Sequence, residues 1–376
     1  MSEKVIVGMS GGVDSSVAAL LLKRQGYDVS GLFMRNWDSS ANRDILGNPD
    51  IGEDICPQER DYQDAQAVCE LLDIPLHRAD FSEEYWRDVF TYFLREYEAG
   101  RTPNPDILCN KHIKFDVFIK HASRYGYDRI AMGHYARLDQ GPPLRLLRGL
   151  DEEKDQTYFL SQLDHGQLKD VLFPIGELPK QSVRKLALEA GFPTADKKDS
   201  TGICFIGERD FRGFLQNYLP ARSGDIVADD GKKIGTHLGL MHYTIGQRKG
   251  LAIGGLKAYG NDPWFVIGKD LKTNTLTVGQ GYHHEGLYAT ACTVIEVNTI
   301  SPTTSLSSRR CSAKVRYRQK DVDVYVEENA SGVRVEFAKP VRAVTPGQAC
   351  VFYDGEMCLG GGFIDAVYRD GKRLPY

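Results

Sequence analysis

The short string Ser10-Gly-Gly-Val-Asp-Ser-Ser16 has the residue types of a phosphate-binding loop. It lies between a predicted strand, Val5–Met9, and a predicted helix that begins at Ser15. Glycines let a backbone come close to a phosphate, and the free N–H groups at a helix start attract the anion. The serine hydroxyls can donate further hydrogen bonds, and Asp14 can hold Mg²⁺ against the phosphates. The string is not a Walker A loop, because the G-K-[ST] ending is missing, and the alternative is an ordinary glycine-rich turn.

Two cysteines stand near groups that can change the reactivity of a thiol. Asp106 precedes Cys109 by three positions, so a helical turn that starts at Asp106 puts both on one face, where the carboxylate can shuttle a proton. Cys204 lies in a polar loop that follows two lysines, whose charges can lower the pKa of a thiol. The alternatives are an N-cap aspartate beside a packed cysteine at 109, and a buried structural cysteine at 204.

Strands and helices alternate over the first 200 residues, which predicts an α/β fold with a doubly wound parallel sheet. The predicted strands are Val5–Met9, Asp28–Met34, Pro75–Ala79 and Arg129–Met132. The predicted helices are Ser15–Gln25, Gln58–Leu72, Ser82–Tyr97 with Ser82 as N-cap, Lys111–Tyr125, Gln156–Leu163 and Lys180–Ala190. Ligands of such sheets bind at the carboxyl ends of the strands, so Met34 and Gly133 are predicted nucleotide contacts.

After about Gly207 the pattern changes to short strands and glycine turns, which predicts a small mixed or β-rich central domain and then a C-terminal β-barrel. We expect domains at residues 1–206, 207–280 and 281–376. The predicted barrel strands are Ala291–Val297, Ser312–Tyr317, Val322–Val326, Val333–Phe337, Ala349–Tyr353 and Met357–Phe363. Lys314, Arg316, Arg318 and Lys320 alternate, which predicts one basic strand face that is either solvated or binds phosphates.

Composition narrows the class of protein. The formal net charge is −4, which is not typical of a general nucleic-acid binder, although residues 301–376 carry 12 basic and 9 acidic residues. Eight cysteines occur without a C-x-x-C pair or zinc-finger spacing, which favours free thiols. No apolar run has membrane-spanning length and the N-terminus does not resemble a signal peptide, so we expect a cytoplasmic protein with no membrane partner.

The loop at 10–16 resembles the pyrophosphate loop of N-type ATP pyrophosphatases, whose fold belongs with the adenine nucleotide α-hydrolases. Over essentially its whole length the chain resembles a more specific family, tRNA-specific 2-thiouridylase. The strings that carry this resemblance are Gly8-Met-Ser-Gly-Gly-Val-Asp-Ser15, Thr102-Pro-Asn-Pro-Asp-Ile-Leu-Cys-Asn110, Gly133-His-Tyr-Ala-Arg137, Lys154-Asp-Gln-Thr-Tyr158, Ser200-Thr-Gly-Ile-Cys-Phe205 and His242-Tyr-Thr-Ile-Gly-Gln-Arg-Lys-Gly250.

The resemblance implies a reaction and a site for it. ATP, with its Mg²⁺, adenylates the C2 oxygen of the wobble uridine in a tRNA anticodon loop, and no tightly bound cofactor is expected. Cys204 carries a persulfide from a sulfur-relay protein or a cysteine desulfurase, Cys109 is the nucleophile that closes a transient disulfide with it, and Asp106 is the acid/base. The implied ATP contacts are Gly8, Met9, Ser10, Gly11, Gly12, Val13, Asp14, Ser15, Met34 and Gly133. The implied tRNA contacts are Asn104, Pro105, Asp106, His134, Lys154, Asp155, Gln156, Arg316, Tyr317 and Gln348.

One segment departs from the pattern, and two other functions stay open. Residues 36–57 form a predicted long loop that looks longer than in common bacterial members, and its Cys56 receives no role. The first alternative function is another adenylating synthetase, which forms an amide or amine and has no need of Cys109 and Cys204. The second is a non-catalytic nucleotide- or RNA-binding protein, against which Asp14, Asp106 and both cysteines argue.

Overall fold

The computed structural model describes residues 2–50, 56–127, 129–199, 202–204, 206–207, 209–256, 258–329 and 332–376. Within these ranges no helix combines the length and the apolar composition that a bilayer crossing requires. The chain forms a parallel sheet at its N-terminal end, a small four-stranded sheet in the middle and a closed barrel at its C-terminal end. The predicted fold class is therefore confirmed.

The N-terminal sheet has five strands, all parallel, in the order β3-β2-β1-β4-β7. The strands are β1 Lys4–Met9, β2 Asp28–Arg35, β3 Leu76–Asp80, β4 Arg129–Ala131 and β7 Val171–Leu172. β1 is central and is buried from its second residue onward, as expected for a strand with both faces covered. β2 ends at Arg35, so the prediction that Met34 ends this strand was wrong by one residue.

Helices cover both faces of this sheet. Val5 and Val7 point into a core with α1 Val13–Arg24, α2 Pro57–Leu71 and α9 Lys180–Glu189. Ile6 points to the opposite face, where the packed helices run from Ser82 to Glu98 and from Pro105 to Arg124. Alternate residues of one strand thus serve two cores, because successive side chains leave a strand on opposite sides.

The two helical stretches on the second face differ from the prediction. The first is α3 Ser82–Tyr85, a π-helical turn Trp86–Phe90 and α4 Thr91–Glu98, and its N-cap is Phe81. Ser82 as N-cap was wrong, because Ser82 is already helical and donates through its backbone N–H and its hydroxyl to Asp80.

The second stretch begins six residues earlier than the predicted start at Lys111. It consists of α5 Pro105–Leu108, a π-helical segment Cys109–Val117 and α6 Phe118–Arg124. Asn104 is its N-cap and accepts a hydrogen bond from the N–H of Asp106 at 3.1 Å. Pro105 stands at the first helical position, where its missing N–H costs nothing.

The C-terminal half contains two further sheets. The four-stranded sheet has the order β10-β11-β8-β9. Its strands are β8 Gly224–Ala228, β9 Lys233–His237, β10 Trp264–Asp270 and β11 Thr275–Gln280. The barrel consists of β12 Tyr288–Thr299, β13 Arg309–Lys314, β14 Val322–Asn329, β15 Gly332–Arg342, β16 Ala349–Asp354 and β17 Met357–Arg369, followed by β18 Lys372–Arg373. Pairing of β12 with β17 closes it.

A hairpin from the N-terminal half extends the barrel sheet, which the sequence pattern did not predict. It consists of β5 Ala136–Asp139 and β6 Arg145–Arg148, and β6 pairs with β17 at Met357 and Cys358. The described chain also contains three short α-helices, α7 Thr157–Leu160, α8 His165–Leu168 and α10 Phe211–Gln216, and two 3₁₀ turns, Leu240–His242 and Glu285–Leu287. The hairpin joins the chain that follows β4 directly to the barrel.

The predicted basic strand face at 314–320 was wrong. β13 ends at Lys314, and the chain turns immediately afterwards. Lys314 is buried, with its ammonium 5.9 Å from the ring centre of Tyr353, and only Arg318 and Lys320 of the four are exposed. A turn does not keep the alternation of a strand, so the four charges do not share a face.

The described part of the long loop, residues 36–50, is attached to the chain that follows Cys204. Arg209 donates to Asp44 at 3.0 Å, and both side chains are buried. The N–H of Asp210 donates to the carbonyl oxygen of Gly47 at 2.8 Å. Residues 51–55 of the predicted loop lie outside the described residues, and Cys56 is the exposed N-cap of α2.

Candidate active site

The phosphate-type loop between β1 and α1 is held in shape by its own serines. Ser15 Oγ accepts from the N–H of Ser10 at 3.2 Å and donates to the carbonyl oxygen of Gly12 at 3.1 Å. Gly11 has φ +69°, and a Cβ there would lie 2.2 Å from the carbonyl oxygen of Asp61. Ser16 is fully buried and donates to Gly12, so this predicted hydroxyl donor serves the helix start instead.

Asp14 is already neutralised by a lysine that sequence reasoning missed. Lys180 Nζ lies 2.8 Å from both carboxylate oxygens, and the hydroxyl of Tyr135 donates to Oδ1 at 2.8 Å. Lys180 also contacts Asp199 Oδ1 at 2.8 Å. Burial raises the pKa of Asp199, but hydrogen bonds from Lys154 and Lys180 outweigh it and lower the pKa to about 2.

This donor set does not fit a metal ion at Asp14, because an ammonium group occupies the position that a cation would take. Among the described residues, no group of three or more His, Cys, Asp or Glu could hold a metal. The contact of Mg²⁺ with Asp14 stays a prediction from the sequence.

A cavity of about 330 Å³ opens beside the loop, within the size range of small-molecule sites. It brings together six of the predicted ATP residues and one of the two cysteines: Gly8, Ser10, Asp14, Ser15, Met34, Gly133 and Cys204. Met9 and Val13 instead belong to the core beneath the loop. Gly133 has no room for a side chain, because a Cβ would lie 2.8 Å from the backbone of Asp14 and Ser15.

The second predicted centre brings two distant thiols into contact at the other end of this cavity. Cys109 Sγ and Cys204 Sγ are 3.6 Å apart, although 95 positions separate them in the chain. Asp106 Oδ1 accepts from the N–H of Cys204 at 3.1 Å, and the Tyr85 hydroxyl donates to the Cys204 carbonyl oxygen at 2.9 Å. Cys109 is fully buried and Cys204 is partly exposed. Ser200, Thr201 and Phe205 of the predicted Cys204 loop lie outside the described residues.

A charged residue that the sequence reasoning missed completes this centre. Lys114 lines the cavity together with Cys204, and its charge acts on the Cys204 thiol. It stands five positions after Cys109 within the π-helical segment, whose i→i+5 bonding places residues five apart above one another. If this segment is taken as an α-helix, Lys114 lies on a different face from Cys109. The α-helical period of the sequence therefore gave no signal for Lys114.

The two thiols differ in their acidity. A hydrogen bond from Cys109 and the charge of Lys114 lower the pKa of Cys204 in spite of its burial. Burial, together with the same hydrogen bond, raises the pKa of Cys109 well above its usual value. Burial also raises the pKa of Asp106, against the hydrogen bond from the Cys204 N–H. Cys204 is therefore the thiol that ionises first, and Asp106 is a carboxyl group suited to hold a proton.

Comparison with known proteins agrees with this geometry. Family models match residues 3–208 as "tRNA methyl transferase HUP domain", 212–280 as "tRNA methyl transferase PRC-barrel domain" and 289–364 as "Aminomethyltransferase beta-barrel domain". The tRNA-specific 2-thiouridylase MnmA of Ligilactobacillus salivarius (strain UCC118) is 56% identical over 99% of this chain and 98% of that protein. The protein of the same name from Acholeplasma laidlawii (strain PG-8A) is 54% identical over the full length of both.

The chain belongs to the tRNA-specific 2-thiouridylase family. The resemblance inferred from the sequence strings is thus confirmed. The matches extend over the barrel as well as the sheet, so the whole chain, and not the loop at 10–16 alone, is shared with this family.

His134, a predicted tRNA contact in this 2-thiouridylase fold, lies in the cavity wall. Its ring packs 5.7 Å from that of Phe115 and 5.9 Å from that of Phe173, between ring centres. Burial first, and then the charge of Lys114, lower its pKa well below the usual value, so the imidazole is neutral. Nδ1 is buried and has no hydrogen-bond partner among the described atoms.

The predicted tRNA contacts at 154–156 have very different exposure. Lys154 is partly exposed and pairs with Asp199 at 2.8 Å. The Asp155 side chain is 2% exposed and accepts from the Thr157 hydroxyl at 2.9 Å. Gln156 Oε1 accepts from the N–H of Tyr135 at 2.9 Å. Lys154 and Gln156 are thus partly exposed, whereas Asp155 is buried.

Predicted contacts in the barrel are also largely occupied by internal partners. Arg316 donates to Thr345 Oγ1 at 2.8 Å, and Gln348 Nε2 donates to the carbonyl oxygen of Thr102 at 2.7 Å. The ring of Tyr317 lies 4.4 Å from that of Phe159, between ring centres. These contacts join the barrel to the segment before Asn104 and to α7.

Proposed function

We propose that the chain catalyses ATP-dependent 2-thiolation of the wobble uridine of tRNA, as a tRNA-uridine 2-sulfurtransferase. One observation carries the proposal: the phosphate-type loop and Cys204, whose sulfur is 3.6 Å from that of Cys109, line the same cavity. The names of the relatives, which are tRNA-specific 2-thiouridylases at 53–56% identity, support the choice of substrate.

The first step makes the uridine oxygen a leaving group. The C2 oxygen attacks the α-phosphorus of ATP, pyrophosphate departs, and the base carries AMP. In this proposal the phosphates lie against the loop and bind its backbone N–H groups and the hydroxyls of Ser10 and Ser15, two residues that line the first cavity. Lys180 adds a positive charge next to the loop, where it balances Asp14 before the nucleotide enters. Mg²⁺ enters with ATP as part of the substrate.

The second step transfers sulfur. The Cys204 thiolate attacks the outer sulfur of a donor persulfide, forms Cys204–S–SH and releases the donor thiolate. After loss of its proton, the terminal sulfur attacks C2 and AMP leaves. Cys109 thiolate then attacks the Cys204 sulfur, which breaks the bond to the transferred sulfur and leaves 2-thiouridine and a Cys109–Cys204 disulfide. A cellular dithiol reduces that disulfide and resets the enzyme.

Asp106 is placed to serve the protons of these steps. Its carboxyl group accepts a hydrogen bond from the Cys204 N–H and borders a second cavity of about 500 Å³, which shares Ile203 and Gly207 with the first. Pro105, Gly202 and Arg209 line that cavity too. We infer that the extruded uridine enters from this side, next to Asn104-Pro105-Asp106, while ATP occupies the first cavity.

We assign tRNA binding outside the cavity to Lys154, to the region of Arg316, Tyr317 and Gln348, and to the C-terminal domain at 281–376. Residues 1–206 form the catalytic domain in this proposal, and 207–280 the central one. The sulfur donor is a persulfide-carrying relay protein or a cysteine desulfurase. Asp155 is 2% exposed as a whole residue, so it offers tRNA no accessible surface in this conformation.

The direct test is mass spectrometry of nucleosides from tRNA incubated with the protein, ATP, Mg²⁺ and a persulfide donor. We expect uridine to exchange one oxygen for sulfur, and expect no exchange without ATP or with Cys204→Ser. Cys311→Ser is the matched control, because Cys311 lies in the barrel strand β13. Thiolation that survives Cys204→Ser, or an amide or amine product instead, contradicts the proposal and favours a different adenylating synthetase.

A further inference from the structure

Lys114 is a charged residue that lies beside the thiol pair. It stands one π-helical turn after Cys109, in the segment Cys109–Val117, and the Cys109 and Cys204 sulfurs are 3.6 Å apart. Its side chain lines the first cavity, which Cys204 also lines. The residue is half-buried in the cavity wall, where a cation needs an anion close by.

The groups that face Cys204 come from three elements. Cys109 and Lys114 come from the π-helical segment, Asp106 from α5, and Tyr85 from α3, whose hydroxyl is engaged with the Cys204 carbonyl oxygen. Among these groups Lys114 is the positive charge. When ionised, Asp106 acts in the opposite direction, because its negative charge disfavours a thiolate.

We propose that Lys114 is a further catalytic residue, whose ammonium group holds the Cys204 sulfur as an anion, first as thiolate and then as persulfide. The inference deepens the proposed function and rests on it for the identity of the sulfur donor. Lys114 makes and breaks no covalent bond in this role. The proton that leaves Cys204 passes to bulk water, or to Asp106 while that carboxylate is ionised.

Neighbouring groups keep Lys114 protonated in spite of its burial. Burial opposes its charge, but Cys204, Cys109 and Asp106 together raise the pKa of Lys114 above its usual value. The same charge helps to lower the pKa of neighbouring His134, which keeps that imidazole neutral. Lysine and thiolate thus stabilise one another, and a persulfide anion can take the place of the thiolate with the same charge.

The experiment measures the ionisation of Cys204 without ATP or tRNA. Full-length protein is alkylated with iodoacetamide between pH 5 and pH 10, and the Cys204 peptide is quantified by mass spectrometry. We expect Lys114→Met and Lys114→Gln to raise the midpoint of the Cys204 profile by about one pH unit or more. Alkylation below that midpoint then slows about tenfold, since only the thiolate reacts.

Two further variants separate charge from structure. Lys114→Arg keeps the positive charge, and we expect it to restore most of the shift. Lys111→Met lies in the same segment, where Lys111 bonds Gln162 at 2.9 Å away from the thiols, and we expect it to leave the profile unchanged. Circular dichroism confirms that each variant is folded. An unchanged midpoint in folded Lys114→Met or Lys114→Gln overturns the inference.

The outcome is independent of the proposed function. A shifted midpoint in a protein that leaves tRNA unthiolated keeps the role of Lys114 and contradicts the sulfurtransferase proposal. An unshifted midpoint in a protein that thiolates tRNA contradicts the role of Lys114 and keeps the sulfurtransferase proposal.

Discussion

The two ends of the first cavity are built in different ways. The phosphate end is a short continuous stretch, residues 10–16, whose backbone and serines fix its shape locally. The sulfur end is assembled from Asp106, Cys109 and Lys114 on one helical stretch and Cys204 from a loop 95 positions after Cys109. Local sequence therefore specifies the first end, whereas only the packed fold creates the second.

The difference extends to the chemistry. At the phosphate end, charges are paired and partly open to solvent, as Asp14 is with Lys180. At the sulfur end, burial acts on every titratable group and pushes the pKa of Cys109 up while its neighbours pull that of Cys204 down. A variant at one end is thus expected to change one half of the reaction and to leave the other half in place.

The largest expected effect comes from Cys109→Ser. Thiolation falls by a factor on the order of 10⁴, because the serine hydroxyl cannot attack the Cys204 sulfur to release the product. Pyrophosphate release in the presence of tRNA and ATP persists, since the loop at 10–16 is untouched. A nucleoside assay beside a pyrophosphate assay measures both. Equal loss of both activities contradicts the division into two ends.

The next effect comes from the ion pair that attaches the long loop to the Cys204 side. Arg209→Met leaves Asp44 buried without its closest cation, and we expect the free energy of unfolding to fall by about 3–5 kcal/mol. Urea titration measures it. Arg212→Met is the control, because Arg212 lies on the surface and donates to a Gly250 carbonyl oxygen. A loss below about 1 kcal/mol shows that the pair does not stabilise the folded protein.

Lowering the pH is expected to affect the sulfur end and not the phosphate end, with a smaller effect than the variants above. Because the pKa of Cys204 is lowered, its thiolate is present above that pKa and disappears as the pH falls through it. Below that point persulfide loading slows by about tenfold per pH unit. Loading is followed by mass spectrometry of the Cys204 peptide with a small persulfide donor. A loading rate that does not change with pH while the protein stays folded contradicts the assignment of the Cys204 thiolate as the group that is loaded.

The smallest effect is expected far from both ends, at the exposed turn after β13. Arg318→Ala and Lys320→Ala should each weaken tRNA binding about two- to fivefold and reduce its salt dependence, because each removes one accessible positive charge. Filter binding at two salt concentrations checks this. Binding that keeps its affinity and salt slope in the double variant removes this turn from the tRNA surface.

Strand–helix alternation and the loop string are local signals, and from them the sequence predicted the fold class and the phosphate-type loop. The roles of Cys109, Cys204 and Asp106 came from the resemblance to the family, because no local signal shows that residues 95 positions apart meet. Lys114 was not predicted because its position depends on i→i+5 bonding, which an α-helical period does not reveal. Lys180 was not predicted because it reaches Asp14 from a helix 166 positions away. The alternation at 314–320 misled because alternating charges occur in a turn as well as in a strand.

The most direct measurement of the central claim is a single turnover without reductant. Protein with persulfide on Cys204 is mixed with ATP and tRNA, and non-reducing peptide mass spectrometry counts Cys109–Cys204 disulfides against 2-thiouridine formed. The account predicts one disulfide for each thiolated uridine, and neither product when ATP is omitted. Thiouridine that forms while Cys109 stays a free thiol would contradict it.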